Sequence, residues 1–390
     1  MAGGPRYRLM ALAPNSWDGQ WMNRQQVLSR LAVHHPVLYS TGAWSVWDRG
    51  SDAFRSAPIA GAFDRRDGVL VDRPPRCLLR WPTLAAYDGA VRHLVQSRWR
   101  RQLARMGTGP VVAYLFHPRY LQFINQLDAD HVVYQPYDLF RHMPGWTPEL
   151  AHLEARLLAT CDAVIATSEP TRAALQEQSP QTVHCVPNGV DETLFLSGDG
   201  DQQVDALAGI PRPRIGYIGS LNRKVDLPLI VDLARREPGW QFVLMGPQGN
   251  FDDATANALS ECTRQPNVHT LAPRARQELP AAMRSLDVAL MCYRPGTWMD
   301  SAYPLKLHEY LASGPPVVSS DLPSVRPFGA VVAIARNSDE WHARITAALR
   351  DGTPGTRTDR RSVAAGNTWN QRVAEISRIL AGISSRKPGP

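Results

Sequence analysis

From end to end of this 390-residue chain, short apolar runs of strand length alternate with longer runs whose apolar residues recur every three or four positions. Few folds accept that alternation. Strands joined by helical crossovers lie parallel, and both faces of their sheet must be covered. Strands are expected at residues 8–14, 36–40, 111–116, 132–137, 163–167 and 182–186, and helices at 20–33, 148–159 and 170–177. Residues 41–82, rich in Arg, Asp and Pro, read as less regular. The rhythm breaks once, at 196–213, where Gly198, Gly200, Gly209, Pro211 and Pro213 stand among acidic and polar residues, the composition of a linker. A second series follows, with strands at 214–218, 240–245, 268–271, 287–293, 317–318 and 330–335.

The length exceeds one ordinary core, so the chain reads as two Rossmann-like, doubly wound α/β domains. The expected divisions are 1–195, a linker at 196–213, a second domain at 214–365 and a helix at 366–383. Open α/β sheets bind ligands beyond the carboxyl ends of their strands, so an interdomain cleft is the expected site.

Five cysteines stand singly, at 77, 161, 185, 262 and 292, without the close pairing of a disulfide framework or a zinc site. No stretch reaches the ~18 apolar residues of a membrane span, and residues 1–6 lack a signal-peptide core. A cytoplasmic protein is expected. Lys and Arg number 43 against 36 Asp and Glu, a balance of +7 that suits anionic ligands or an anionic membrane surface. Nucleic-acid signatures are missing: there is no zinc-finger spacing, basic zipper or aromatic RNA-binding strand. The basic residues concentrate between Arg73 and Arg105, eight arginines against the single acid Asp88, with Trp81, Leu84, Tyr87, Leu94 and Trp99 interleaved. Two readings stand for this stretch, a solvated basic helix or a surface resting on anionic lipid at the inner face of the plasma membrane.

The most informative stretch runs from Tyr303 to Val318. Pro304 suits a first helical turn, Gly314 a left-handed C-terminal position, and Pro315 and Pro316 forbid continuation before Val317 and Val318. A strand thus feeds a helix N-terminus, whose free N–H groups favour an anion, typically phosphate. Lys306 and Glu309 share a face of that helix. One can meet a phosphate and the other can accept from two sugar hydroxyls. A plain surface ion pair is the alternative.

Five segments in order resemble the nucleotide-sugar glycosyltransferases of the GT-B fold, group 1 or retaining type. They are Glu154 to Ser168 with Val186-Pro187-Asn188-Gly189-Val190-Asp191, Ile215 to Ser220, Asn267-Val268 with Glu278-Leu279-Pro280, Ser285 to Val288, and the Lys306–Glu309 helix with its Gly-Pro-Pro-Val-Val close. The resemblance is weak between Trp44 and Val111. It implies a donor site in the C-terminal domain. There Glu309 takes the ribose hydroxyls, while Arg223, Lys224 and Lys306 neutralise the diphosphate. Backbone groups of Tyr303, Pro304 and Leu305 assist, and Gly219 admits close approach. The N-terminal domain would bind a glycan or lipid-linked acceptor through Trp17, Asp18 and Gly19, and the last helix would cross back to it. Neither metal nor cofactor is implied beyond the nucleotide-sugar donor itself. Two positions depart from the pattern: Ser301 stands where a second carboxylate is usual, and Arg223-Lys224-Val225 replaces a Lys-Gly pair.

His117 and Asp138 end strands and are the candidate catalytic groups. A neutral His117 can bond a sugar hydroxyl, or its ring can be satisfied by loop backbone. Asp138 can act as a base or close a turn. Asp18 can cap the first helix or meet acceptor. A transferase acting in polysaccharide or glycolipid synthesis is the leading expectation, with a non-catalytic nucleotide-sugar-binding protein as its rival. A dinucleotide oxidoreductase is disfavoured, because no Gly-x-Gly-x-x-Gly follows a strand.

Overall fold

The computed structural model describes residues 7–125, 127–197, 205–249 and 251–384. It divides into two compact units, Met1–Pro187 with Asn370–Pro390, and Asn188–Trp369.

The first unit holds strands β1 (Arg8–Leu12), β2 (Val37–Ser40), β3 (Ala62–Arg66), β4 (Val69–Arg73), β5 (Val111–Leu115), β6 (His131–Tyr134), β7 (Ala163–Ala166) and β8 (Val183–Cys185). They form one sheet in the order β3-β4-β2-β1-β5-β6-β7-β8. Strands β5 and β7 are buried throughout and β1 from Leu9 onward, as strands covered on both faces must be. The order reverses between β1 and β5, so the loops after these strands open a crevice at their carboxyl ends. At the end of β6, the Tyr134 hydroxyl donates to Glu154 Oε1 at 2.6 Å, a buried bond that ties the sheet to the helix Pro148–Thr160.

The irregular region expected at 41–82 contains a hairpin. Strands β3 and β4 pair antiparallel through Asp67 and Gly68, with φ of 49° and 81°. Both turn residues are left-handed, which the twist of a two-residue hairpin demands and which Asp-Gly tolerates. The helix Ala85–Arg105 follows. Asp72 of β4 joins the two elements from a fully buried position. Its Oδ2 accepts from Trp99 Nε1 at 2.7 Å and from Ser40 Oγ at 2.8 Å, and Arg98 pairs with Oδ1.

The second unit holds β9 (Arg214–Ile218), β10 (Gln241–Met245), β11 (Val268–Leu271), β12 (Val288–Met291), β13 (Val317–Ser320) and β14 (Val332–Ala335). Its sheet is parallel in the order β11-β10-β9-β12-β13-β14 and reverses between β9 and β12. Val190 N donates to Asn367 O and Trp369 N to Val190 O, each at 2.9 Å, so the two ends of this unit are stitched together. The division between units falls before Asn188 rather than near residue 195, and Phe195 lies in the second core. Of the expected linker, residues 198–204 lie outside the described residues. The last helix, Trp369–Ser384, belongs to the first unit from Asn370 onward, and Tyr7 donates to Leu380 O at 3.2 Å.

Candidate active site

The loops after β9 and β12 meet at the switch point of the second sheet. Asp226 N donates to Cys292 O and Arg294 N to Lys224 O, each at 2.8 Å. This lacing brings Arg223 and Lys224 over the indole of Trp298, at 5.3 and 3.8 Å from the ring centre. Trp298 lies on the short helix Thr297–Ser301, a partner that sequence reasoning missed.

The helix Lys306–Ser313 follows and ends as expected, with Gly314 left-handed at φ 100°. Its carboxyl end is covered by two guanidiniums. Arg360 Nε donates to Gly314 O at 3.0 Å and Arg361 Nη1 to Ala312 O at 2.7 Å, a favourable arrangement at the negative end of a helix dipole. Tyr310 pins the helix to β9 by accepting from Ile218 N at 2.8 Å. Its amino end is held by Asn188 Nδ2, which donates to Tyr303 O at 2.7 Å, and Tyr303 Oη lies 2.7 Å from His308 Nε2. Pro304 is buried and Leu305 half-buried, and no side chain caps this end.

Lys306 runs from this helix across Gly219 and under Tyr217, with Nζ 5.1 Å from the phenol ring centre. A Cβ at Gly219 would lie 1.9 Å from Lys306 Cε and 2.0 Å from Nζ. The glycine is therefore required by the lysine as well as by its φ of 153°. Neither Lys306 nor Glu309 has a hydrogen-bonding or ion-pair partner for its charged group among the described residues. Burial pushes the Lys306 ammonium below its ordinary value, although Glu309 pulls it back. Burial raises the Glu309 carboxyl to about 7, against the pull of Lys306 and Arg276. Arg276, ion-paired with Asp191, was not picked out by sequence; nothing in its local pattern marks it. Ser301 is buried with its hydroxyl turned back onto its own helix, donating to Trp298 O at 3.0 Å and Thr297 O at 3.3 Å.

In the first unit His117 caps a short 3-10 helix, with Nδ1 accepting from Arg119 N at 3.2 Å. Burial, helped by Arg119, lowers its pKa to about 3, so the ring is neutral. With Nδ1 accepting, the proton sits on Nε2, a hydrogen-bond donor. His117 lines a cavity of about 230 Å³ with Pro14, Asn15, Tyr137, Phe140 and Trp146 among its walls. Asp138 does not line it, although it bears electrostatically on Tyr137.

The expected acceptor loop is arranged differently. Trp17 is a core residue, 3% exposed, packed against Tyr39 with Nε1 donating to Asp67 Oδ2 at 3.0 Å. Asp18 neither caps a helix nor stands free: it pairs with Arg73. The first helix begins later, at Asn23, where Gln25 Oε1 accepts from Met22 N at 2.9 Å in place of a capping acid. Gly19 is exposed. Among the described residues, no group of three His, Cys, Asp or Glu side chains is placed to hold a metal ion.

Two family models match the chain, Glycosyl transferases group 1 over residues 212–351 and Glycosyltransferase Family 4 over residues 97–194. The chain belongs to the GT-B glycosyltransferases. Among curated members of the family, it is 28% identical over 233 residues to TuaH of Bacillus subtilis, named for teichuronic acid biosynthesis. That alignment spans 58% of each chain. Among solved structures sharing the GT-B fold, HepE of Anabaena in complex with UDP-glucose superposes with a TM-score of 0.71 at 14% identity, covering 96% of this chain and 99% of that one. A UDP-forming trehalose-phosphate synthase from Burkholderia xenovorans gives 0.67 at 13%, covering 97% and 99%.

Proposed function

We propose that this glycosyltransferase moves a sugar from a nucleoside diphosphate donor to an acceptor hydroxyl, in the synthesis of a bacterial polysaccharide or glycolipid. The observation that carries this is the pair Lys306 and Glu309. A half-buried ammonium without an anion and a half-buried carboxylate without a donor stand one turn apart on one helix. A diphosphate answers the first and ribose hydroxyls answer the second. Arg223 and Lys224 reach the same loops and add charge for the departing diphosphate, which is where stabilisation accelerates transfer. Basic side chains suffice for that charge, so the reaction is metal-independent, and retention of configuration follows from the family resemblance. His117 offers a neutral N–H donor to a sugar hydroxyl, and Asp138 stays a candidate base. The TuaH likeness supports a polysaccharide role.

The exposed Trp81, Leu84, Tyr87 and Leu94 support peripheral contact with an anionic membrane, where a lipid-linked acceptor would be found. Among the described residues no helix is long and apolar enough to cross one. The second reading, donor binding without transfer, draws on Ser301, whose hydroxyl is committed to its own helix. Incubating the chain with a panel of UDP-, GDP- and dTDP-sugars separates the two. Release of one nucleoside diphosphate, accelerated by membrane extract, is expected. Tight binding with no release in any extract refutes the transferase reading.

A further inference from the structure

Trp298, in the loop region after β12, receives two cations on its ring: Arg223 at 5.3 Å and Lys224 at 3.8 Å from the ring centre. Its indole N–H is buried and has no acceptor among the described residues. An unmet buried donor costs stability, and Phe or Leu at this position would avoid that cost. What the indole offers beyond either is the side-chain ring that attracts a cation most strongly. The backbones on both sides of the contact are fixed. Asn222 accepts from Lys224 N through Oδ1 at 3.0 Å and from Val225 N through its carbonyl at 2.9 Å, which closes the turn carrying Arg223 and Lys224. Ser301 donates to Trp298 O at 3.0 Å, and the neighbouring Met299 is buried.

A fixed backbone does not aim a long side chain, since arginine and lysine keep many rotamers. A carboxylate would aim them, but it would also cancel the charge that a diphosphate needs. The acids near these loops are engaged elsewhere. Asp226 caps the helix Leu227–Arg236, accepting from Leu229 N at 3.2 Å. Asp252 accepts from Thr255 N at 2.8 Å and bears electrostatically on Arg223 and Arg294. Asp300, two residues after Trp298, bears on Arg326. None of the three pairs with Arg223 among the described residues. An aromatic face, by contrast, directs a cation and leaves its charge in place. Lys224 also bears on Lys306, so these charges gather around one locus. We propose that Trp298 is a positioning residue for the donor's diphosphate, holding the Arg223 guanidinium and the Lys224 ammonium beside Lys306 with their charge uncancelled. Charge aimed before the bond breaks needs no reorganisation as the diphosphate departs. The proposal rests on the transferase reading, since the diphosphate is that of its donor.

The test titrates the full chain with UDP, uridine and inorganic pyrophosphate by calorimetry at constant ionic strength. Trp298→Leu should weaken UDP and pyrophosphate about 10-fold and uridine, which carries no phosphate, less than about 2-fold. Trp298→Phe keeps an aromatic face of weaker pull and should bind UDP between wild type and the Leu variant. In an Arg223→Met, Lys224→Met background, Trp298→Leu should change UDP affinity less than about 2-fold, because no cation remains to be aimed. A merely structural tryptophan would weaken UDP and uridine alike and would do so in that background too, and either result overturns the proposal. So does a Trp298→Leu variant with undiminished affinity for UDP and pyrophosphate. Pyrophosphate needs no base, which separates this proposal from the reading beneath it. Wild type that binds pyrophosphate through Trp298 but none of UDP, GDP and dTDP refutes the donor reading and leaves the role of Trp298 standing. Wild type that binds neither pyrophosphate nor any of the three overturns both.

Discussion

Burial acts on Glu309 and Lys306 in the same destabilising sense, favouring the neutral form of each, and pH reads this out at Glu309. An acid whose native pKa lies above its unfolded value holds its proton more tightly when folded. Its stabilising effect is complete below the ordinary value of 4.5 and is lost as pH rises through about 7. Wild-type stability, measured by urea denaturation relative to Glu309→Gln, should therefore fall across that window and then level. Donor binding should run the other way, because ribose hydroxyls need the carboxylate as acceptor. UDP affinity of wild type should rise toward pH 7 relative to Glu309→Gln, a difference that cancels the ligand's own titration. At pH 8 the variant should bind UDP about 10- to 100-fold more weakly. Parallel stability curves with equal affinities would make the helix structural only. The helix that carries this pair was legible in sequence because spacing by three and a Gly-Pro-Pro close are local signals. Trp17 was not: its burial depends on Asp67 and Tyr39, which no spacing links to it.

The helix Ala85–Arg105 shows the same limit at the scale of an element. Its arginines look like one charged surface in sequence, and the fold divides them. Arg92, with Arg80 from ahead of the helix, pairs with Asp88, Arg98 pairs with the buried Asp72, and Trp99 is in the core. Arg101 and Arg105 stay exposed, on a stripe with the exposed Tyr87 and Leu94 at intervals of seven, seven and four. Arg98→Ala should thus cost about 3–5 kcal/mol in urea denaturation, since it leaves a buried carboxylate short of its cation. Replacing Arg101 and Arg105 by Glu should change stability by no more than about 0.5 kcal/mol each. That double variant should instead lower co-sedimentation with anionic vesicles, by about 1 kcal/mol or more per site at low salt. Vesicle binding that ignores both the double variant and salt would remove the membrane proposal. The Asp67-Gly68 pair is a hairpin signal, but the Arg, Asp and Pro residues around it have the composition of irregular structure. Alternating parallel strands, by contrast, announced themselves in every segment with a buried β-branched run.

At the scale of the whole chain, the residues proposed for the donor site, Gly219, Arg223, Lys224, Lys306 and Glu309, all belong to the second unit, Asn188–Trp369. Glycines and prolines in the linker composition suggested that this unit starts near residue 214. Packing starts it earlier. Val190, Phe195, Leu207 and Ile210 are buried in its core, and Val190 closes the unit against Asn367 and Trp369. Composition could not show this, because a few apolar residues ahead of a glycine-rich stretch look the same whether they pack backward or forward. The difference is large enough to decide whether a fragment folds. Each large buried apolar side chain is worth about 1.5–3 kcal/mol, so losing four removes about 6–12 kcal/mol from a domain whose total stability is of order 5–15 kcal/mol. A fragment of residues 188–369 should therefore unfold cooperatively in urea and bind UDP by calorimetry within about tenfold of the full chain. One starting at Pro211 should lack a cooperative transition and bind nothing measurable. Equal stability of the two fragments would show that the segment before residue 211 is a passenger. A cooperative 188–369 fragment with no affinity for UDP would instead move the donor site, wholly or in part, outside the second unit.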